Sequence, residues 1–236
     1  FLFFDSKQEL LKALPDRRPA YTRPGLSPYD LLPLIGENER NDPYHFAPSL
    51  IRRIADTPHQ EIATHTFSHY YCLEDGQCPE DFRADLEAAV RLSHDKLGRP
   101  LRSIVFPRNQ TSAPYVAVCR ELGLLAYRGT LSDWAYRPRS EEDEWLVRRA
   151  VRLVDAYCSL TGTNSRRLAA DGANSLVDVP GSRYLRPYAV ALRRLDALRL
   201  RPIRTDLLHA ATRGSVFHLW WHPHDFGEHL AENLHA

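Results

Sequence analysis

The 236-residue sequence contains no methionine. With no initiator, an apolar Phe1-Leu2-Phe3-Phe4 at its start and a helix-like Glu228 to Ala236 at its end, it reads as a piece of a longer chain. Its first residues therefore carry no information about targeting. No apolar run approaches the roughly 20 residues that span a bilayer, so no transmembrane segment is seen. Net charge is almost absent: 31 basic and 30 acidic side chains leave +1. That removes any global pull toward nucleic acid or an anionic membrane. Cysteine is scarce, and Cys72, Cys78, Cys119 and Cys158 form no Cys-x-x-Cys pair. Neither a zinc ribbon nor a dithiol redox motif is thereby suggested. Cys72 and Cys78 flank a turn and are expected as free thiols, with a disulfide between them the alternative; Cys119 lies in an apolar helical pattern and is expected in the core. No Gly-x-Gly-x-x-Gly or P-loop follows any predicted strand, which argues against a nucleotide fold. Internal repeats and low-complexity tracts are missing too.

What is present suits one domain with a sizeable core, since 43% of residues are hydrophobic and 26% charged. Helices are predicted over Phe1–Leu14, Ala47–Ile54, Pro79–Leu97, Ser112–Leu122, Glu141–Tyr157, Ala189–Leu200 and Ile203–Thr212. Pro202 separates the last two. In Pro79–Leu97 the residues Phe82, Leu86, Ala89, Val90 and Leu97 share a face, and Gly98 stands where a C-cap glycine belongs. Residues 15–43, rich in proline and polar side chains, are predicted as surface loop. Five strands are predicted, beginning at Glu61, Ser103, Leu125, Leu176 and Ser215. Alternation of strands and helices implies parallel strands with helical crossovers, as an open sheet or a barrel.

In such folds chemistry gathers at the carboxyl ends of the strands. The first strand runs into His65 and His69, four residues apart, about one helical turn, so both imidazoles can point the same way. Two such nitrogens supply half of a tetrahedral zinc site. Arg108 follows the second strand, Asp133 and Trp134 the third, and Ser182, Arg183 and Arg186 the fourth. His222 ends the fifth, where alternation puts His218, Trp220 and His222 inside and Phe217, Leu219 and Trp221 against the helices. Each also has a plainer reading as a surface charge, a turn cap or a hydrogen-bonded core histidine.

The motifs taken together resemble the polysaccharide deacetylase family, the NodB-homology domain of carbohydrate esterase family four. His65-Thr66-Phe67-Ser68-His69 is similar to its His-Ser/Thr-x-x-His metal motif. Phe106-Pro107-Arg108-Asn109-Gln110 lies where the family has an arginine-proline motif, although here the arginine follows the proline. Leu131-Ser132-Asp133-Trp134 resembles its aspartate-tryptophan motif, and Leu219-Trp220-Trp221-His222 its final histidine motif. The resemblance implies an α/β fold, a distorted barrel of seven strands over a single domain 1–236. Two strands and a pair of aspartates, base and third metal ligand, are then expected before Phe1. It implies zinc or another divalent metal on His65 and His69, and an N-acetylated sugar or polysaccharide as substrate. His222 would be the proton donor, Asp133 would orient it, and Arg108 would hold the base. Trp134, Arg183 and Arg186 would contact substrate. A catalytically silent glycan- or partner-binding domain and a deacetylase of a small non-sugar amide remain alternatives.

Overall fold

The backbone can be ordered only where strands find partners and helices find a face to bury. The computed structural model describes residues 2–141, 143–168 and 175–235. They form two compact units, Phe1–Tyr127 with Gly172–Leu176, and Arg128–Asp171 with Val177–Ala236. The architecture is α/β, with helices and few, short, partly parallel strands.

The first unit contains α1 (Lys7–Lys12), α2 (Pro48–Ala55), α3 (Pro79–Leu97), β1 (Ser103–Val105), α4 (Ala113–Glu121) and most of β2 (Ala126–Arg128). α3 has the predicted bounds: Pro79 opens its first turn, and Gly98 closes it in the left-handed conformation at φ +62°. Its buried face carries Phe82 and Leu86. Phe82 is the hub of an aromatic cluster, with Tyr70 at 5.5 Å, Tyr115 at 5.2 Å and Phe106 stacked at 5.8 Å between ring centroids. Fully burying one such ring stabilises the unit by roughly 1.5–3 kcal/mol. β1 and β2 are hydrogen-bonded neighbours. No strand forms at Glu61–Ala63; pairing begins and ends with a parallel bridge from Thr64 to Ile104. Apolar character is not enough for a strand, because only hydrogen-bonded partners define one. Cys72 and Cys119 are buried free thiols, and Cys78 is also free.

The second unit contains α5 (Leu146–Cys158), β3 (Val177–Asp178), β4 (Arg183–Tyr184), α6 (Asp196–Arg213), β5 (Leu219–Trp220) and α7 (Leu230–Leu234). β4 pairs in parallel with β5, Arg183 opposite Leu219 and Tyr184 opposite Trp220. Gly181 precedes β4 because a Cβ there would lie 2.8 Å from the Trp220 indole nitrogen. Pro202 does not divide two helices; it sits inside α6. Arg199, Pro202, Asp206 and Ala210 are the buried positions of that helix, at helical spacing. Burial of this face outweighs the hydrogen bond that proline removes. α5 starts at Leu146, five residues later than predicted.

Arg183 lies beyond the end of β3, as predicted, but on a further strand, β4, that was not predicted, and there it is turned inward. Its guanidinium meets Asp206 of α6 at 2.7 Å and Asp155 of α5 at 3.1 Å, all three buried. Asp155 also accepts from Tyr136 Oη at 2.7 Å and from Thr161 N–H at 2.7 Å. The side chain expected at a substrate mouth instead ties a strand to two helices. Removing one member of such a buried network leaves the other charges uncompensated. Arg183→Ala is expected to cost about 3–5 kcal/mol of stability, read from the denaturant midpoint. An unchanged midpoint together with a raised KM would return Arg183 to the substrate.

Candidate functional site

The segment Thr64 to Tyr70 alternates between core and water. Phe67, Ser68 and Tyr70 are buried, whereas His65 and His69 are exposed. Phe67 packs edge-on to Phe4 at 5.7 Å, and Tyr70 joins the cluster around Phe82. The anchors fix the backbone, and the histidines are what it presents.

Polar contacts complete this fixing. Thr64 N–H donates to Ser103 O at 3.0 Å, and Val105 N–H donates to Thr64 O at 2.9 Å, which joins the loop to β1. Asp85, on the inner face of α3, accepts from Phe67 N–H at 2.8 Å and Ser68 N–H at 3.1 Å. The Ser68 hydroxyl donates to the same carboxylate. Thr66 Oγ1 accepts from Tyr70 N–H at 2.7 Å. Thr66 (φ +65°) and His69 (φ +56°) occupy the left-handed region, as do Arg108 (φ +52°) and Asn109 (φ +55°) in the loop after β1. Non-glycine residues, and a β-branched threonine above all, hold that conformation only when their surroundings enforce it.

The two imidazoles meet edge to face with centroids 4.6 Å apart. His65 Nδ1 lies 2.6 Å from Val105 O. A carbonyl can only accept, so Nδ1 carries the proton, which is the tautomer that ligation through Nε2 requires. The protein packed around His69, then the neighbouring His65 and the Arg108 guanidinium, push its pKa down to about 4. The ring is therefore neutral at pH 7 while its edge still reaches water. By residue type the pair offers two nitrogens of the kind that divalent zinc takes. Among the described residues no third histidine, cysteine or carboxylate completes a three-donor group with it.

Arg108 stands over the Tyr71 ring at 4.1 Å and lies 3.7 Å from the buried Glu74 carboxylate. Gln110 binds the same carboxylate at 2.7 Å and accepts from Leu73 N–H at 3.0 Å. Arg108 thus braces the segment after His69 against the loop after β1. The structure brings together His65, His69 and Arg108 in the first unit.

The other predicted residues lie in the second unit and are described there. His222 is not turned inside; it lies two residues beyond the end of β5 with its side chain half exposed, and Trp221 is exposed as well. The carboxylate beside it is Asp225, 3.4 Å from Nδ1, not the expected Asp133. Asp133 is exposed, and its carbonyl accepts from Tyr136 N–H at 2.9 Å within a turn. Trp134 presents an exposed indole, with the Arg148 guanidinium 6.0 Å from its ring. Ser182 is buried and accepts from His218 N–H at 3.1 Å. Arg186 is half-buried, 5.8 Å from the Tyr184 ring. Sequence reasoning missed Asp85, although a lone aspartate between Phe82 and Leu86 on an apolar helix face signals a buried carboxylate with a partner.

Residues 33–127, less than half of the chain, match the family described as polysaccharide deacetylase. Over those residues the chain is similar to polysaccharide deacetylases, and the likeness supports a deacetylase-type hydrolase. The match is consistent with the NodB-homology family read from the motifs, and it spans His65, His69 and Arg108. No curated protein and no solved structure matches the chain.

Burial raises the Asp85 pKa to about 6, against the opposing effect of its hydrogen bonds from Ser68 and Phe67. A raised carboxyl pKa means that the folded protein holds this proton more tightly than the unfolded chain does. Its contribution to stability falls as pH rises from about 4 to about 6 and is flat above. Asp85→Asn has one acceptor oxygen for these donors, so a loss of about 1–3 kcal/mol is expected. The deficit relative to wild type should shrink between pH 4 and pH 6, as denaturant midpoints at the two values would show. A deficit that grows over this window would mean that the carboxylate is stabilised by its site. His69 is expected to titrate near pH 4 by NMR; a midpoint near 6.5 would show the ring fully hydrated.

Proposed function

We propose that this protein is a metal-dependent hydrolase that removes N-acetyl groups from a sugar or polysaccharide. The observation that carries this is the histidine pair: rings 4.6 Å apart, with Nδ1 of His65 engaged by Val105 O. A zinc or other divalent ion bound there supplies Lewis acidity toward an acetyl carbonyl and toward water. His65 and His69 hold it, and the depressed pKa of His69 keeps that ring available without losing a proton first. Arg108 positions the loops on which this depends, through Tyr71 and Glu74.

His222 is the proton donor to the departing amine in this reading. Asp225, 3.4 Å from Nδ1, orients the ring and leaves Nε2 to deliver the proton. Trp134 offers an apolar face to the sugar or to the acetyl methyl group, and Arg186 offers fixed donors to hydroxyls. The two units are read as parts of one deacetylase domain, and its short strands as staves of a seven-stranded barrel.

Acetate release from N-acetylglucosamine oligomers by the intact protein tests the proposal. Activity should disappear with a chelator and return with zinc. His65→Ala and His69→Ala should abolish it, and His222→Ala should lower kcat about 100-fold or more. Acetate release that survives both chelation and loss of the histidine pair would sink the proposal.

A further inference from the structure

The turn that follows β5 carries two side chains, His224 and Asp225, that the sequence motifs did not single out. After Trp220 the chain runs through His222 into a 3-10 turn, Pro223–Phe226. Pro223 fixes the entry to that turn, and its curl brings residues 222, 224 and 225 to the same side. One donor atom from each of His222, His224 and Asp225 lies within 4.8 Å of the others. His222 Nδ1 is 3.4 Å from Asp225 Oδ2, and His224 Nε2 is 3.7 Å from Asp225 Oδ1. Ligands held about 2.0–2.1 Å from a tetrahedral zinc ion stand about 3.4 Å apart. Each imidazole thus stands near that edge length from one or the other Asp225 oxygen, and side-chain rotation that closes the 4.8 Å set would bring three donors onto one ion.

The donors are held from behind. Tyr184 Oη donates to Asp225, and His222 N–H lies 3.3 Å from the same oxygen. The His222 ring contacts the Trp220 ring at right angles at 5.6 Å, and it stacks on His224 at 5.1 Å. Asp225 is mostly covered while both imidazoles face water, which leaves open coordination positions for solvent. A hydroxyl donating to a ligating carboxylate orients it and fixes its charge.

We propose that His222, His224 and Asp225 form a binding site for a borderline divalent transition ion, zinc above all, within the second unit. Two imidazoles and one carboxylate favour zinc, nickel or copper over magnesium or calcium, which prefer oxygen donors. One consequence rests on the deacetylase reading: an ion here competes with the proton for His222, so excess zinc inhibits through this site.

The test removes the other histidine pair first. The intact protein with both His65→Ala and His69→Ala is titrated with zinc alone by calorimetry at pH 7.5, without substrate. One equivalent should bind, and a hundredfold excess of magnesium should not displace it. Adding His224→Ala, or separately His224→Gln, should weaken zinc at least tenfold with an unchanged melting temperature, since His224 is the most exposed of the three. Absence of zinc binding in the double variant, or binding indifferent to both His224 substitutions, overturns the site. The readout involves no turnover, so it stands or falls separately from the deacetylase assay. Inhibition by excess zinc in the otherwise native enzyme should be relieved by His224→Ala; inhibition unchanged in that variant would overturn the inhibitory role alone.

Discussion

One buried carboxylate holds the candidate site in shape. Asp85 reaches from α3 to two consecutive backbone N–H groups and a hydroxyl in the loop that presents His65 and His69. Without an acceptor there, Phe67 and Ser68 would bury unpaired donors, a cost comparable to the stability of many small domains when summed. Polar satisfaction and aromatic packing therefore act on the same few residues. Phe67 and Tyr70 pull the chain inward, Asp85 fixes it there, and the intervening histidines have nowhere to go but out.

The second unit has its own version of this arrangement. Arg183 lies between Asp155 and Asp206, so a strand and two helices share one ionic junction. Both junctions take charge out of water, but with different results. Asp85 is a lone anion met by dipoles, and burial raises its pKa. Arg183 is a cation met by two carboxylates, and each charge is offset by its neighbours. Neither is a surface ion pair, so ordinary salt screens them little.

Much of this was legible in the sequence, and the rest failed for identifiable reasons. α3 was legible to its ends because its proline, its apolar spacing and Gly98 all agree. The histidine motif was legible as a pattern that resembles deacetylases, matched over residues 33–127, but no helical turn joins the two rings: left-handed Thr66 and His69, Asp85 and the aromatic anchors set their approach. The strand at Glu61 was overread, since apolar composition says nothing about whether a partner strand is adjacent. Arg183 does follow the strand at Leu176, but the two-residue β4 that takes it up and turns it toward the interior is too short to leave a pattern in the sequence. Pro202 was read locally as a helix break, whereas the buried face of α6 decides the matter. Asp225 was visible as a residue but not as a neighbour of His222, because turn geometry sets that contact.

The left-handed residues around the histidine pair have a kinetic consequence. Thr66, His69, Arg108 and Asn109 are held at φ between +52° and +65° without glycine's freedom. Glycine would accept these angles without strain but would leave the unfolded chain with more conformations to lose. Stiff residues in a strained but enforced conformation make a loop with few other shapes available. Such a loop would meet the proposed ion already arranged, with little reorganisation to slow capture. Departure of that ion would then be governed by the breaking of ligand bonds and not by movement of the backbone, so exchange rates would follow the chemistry of the metal.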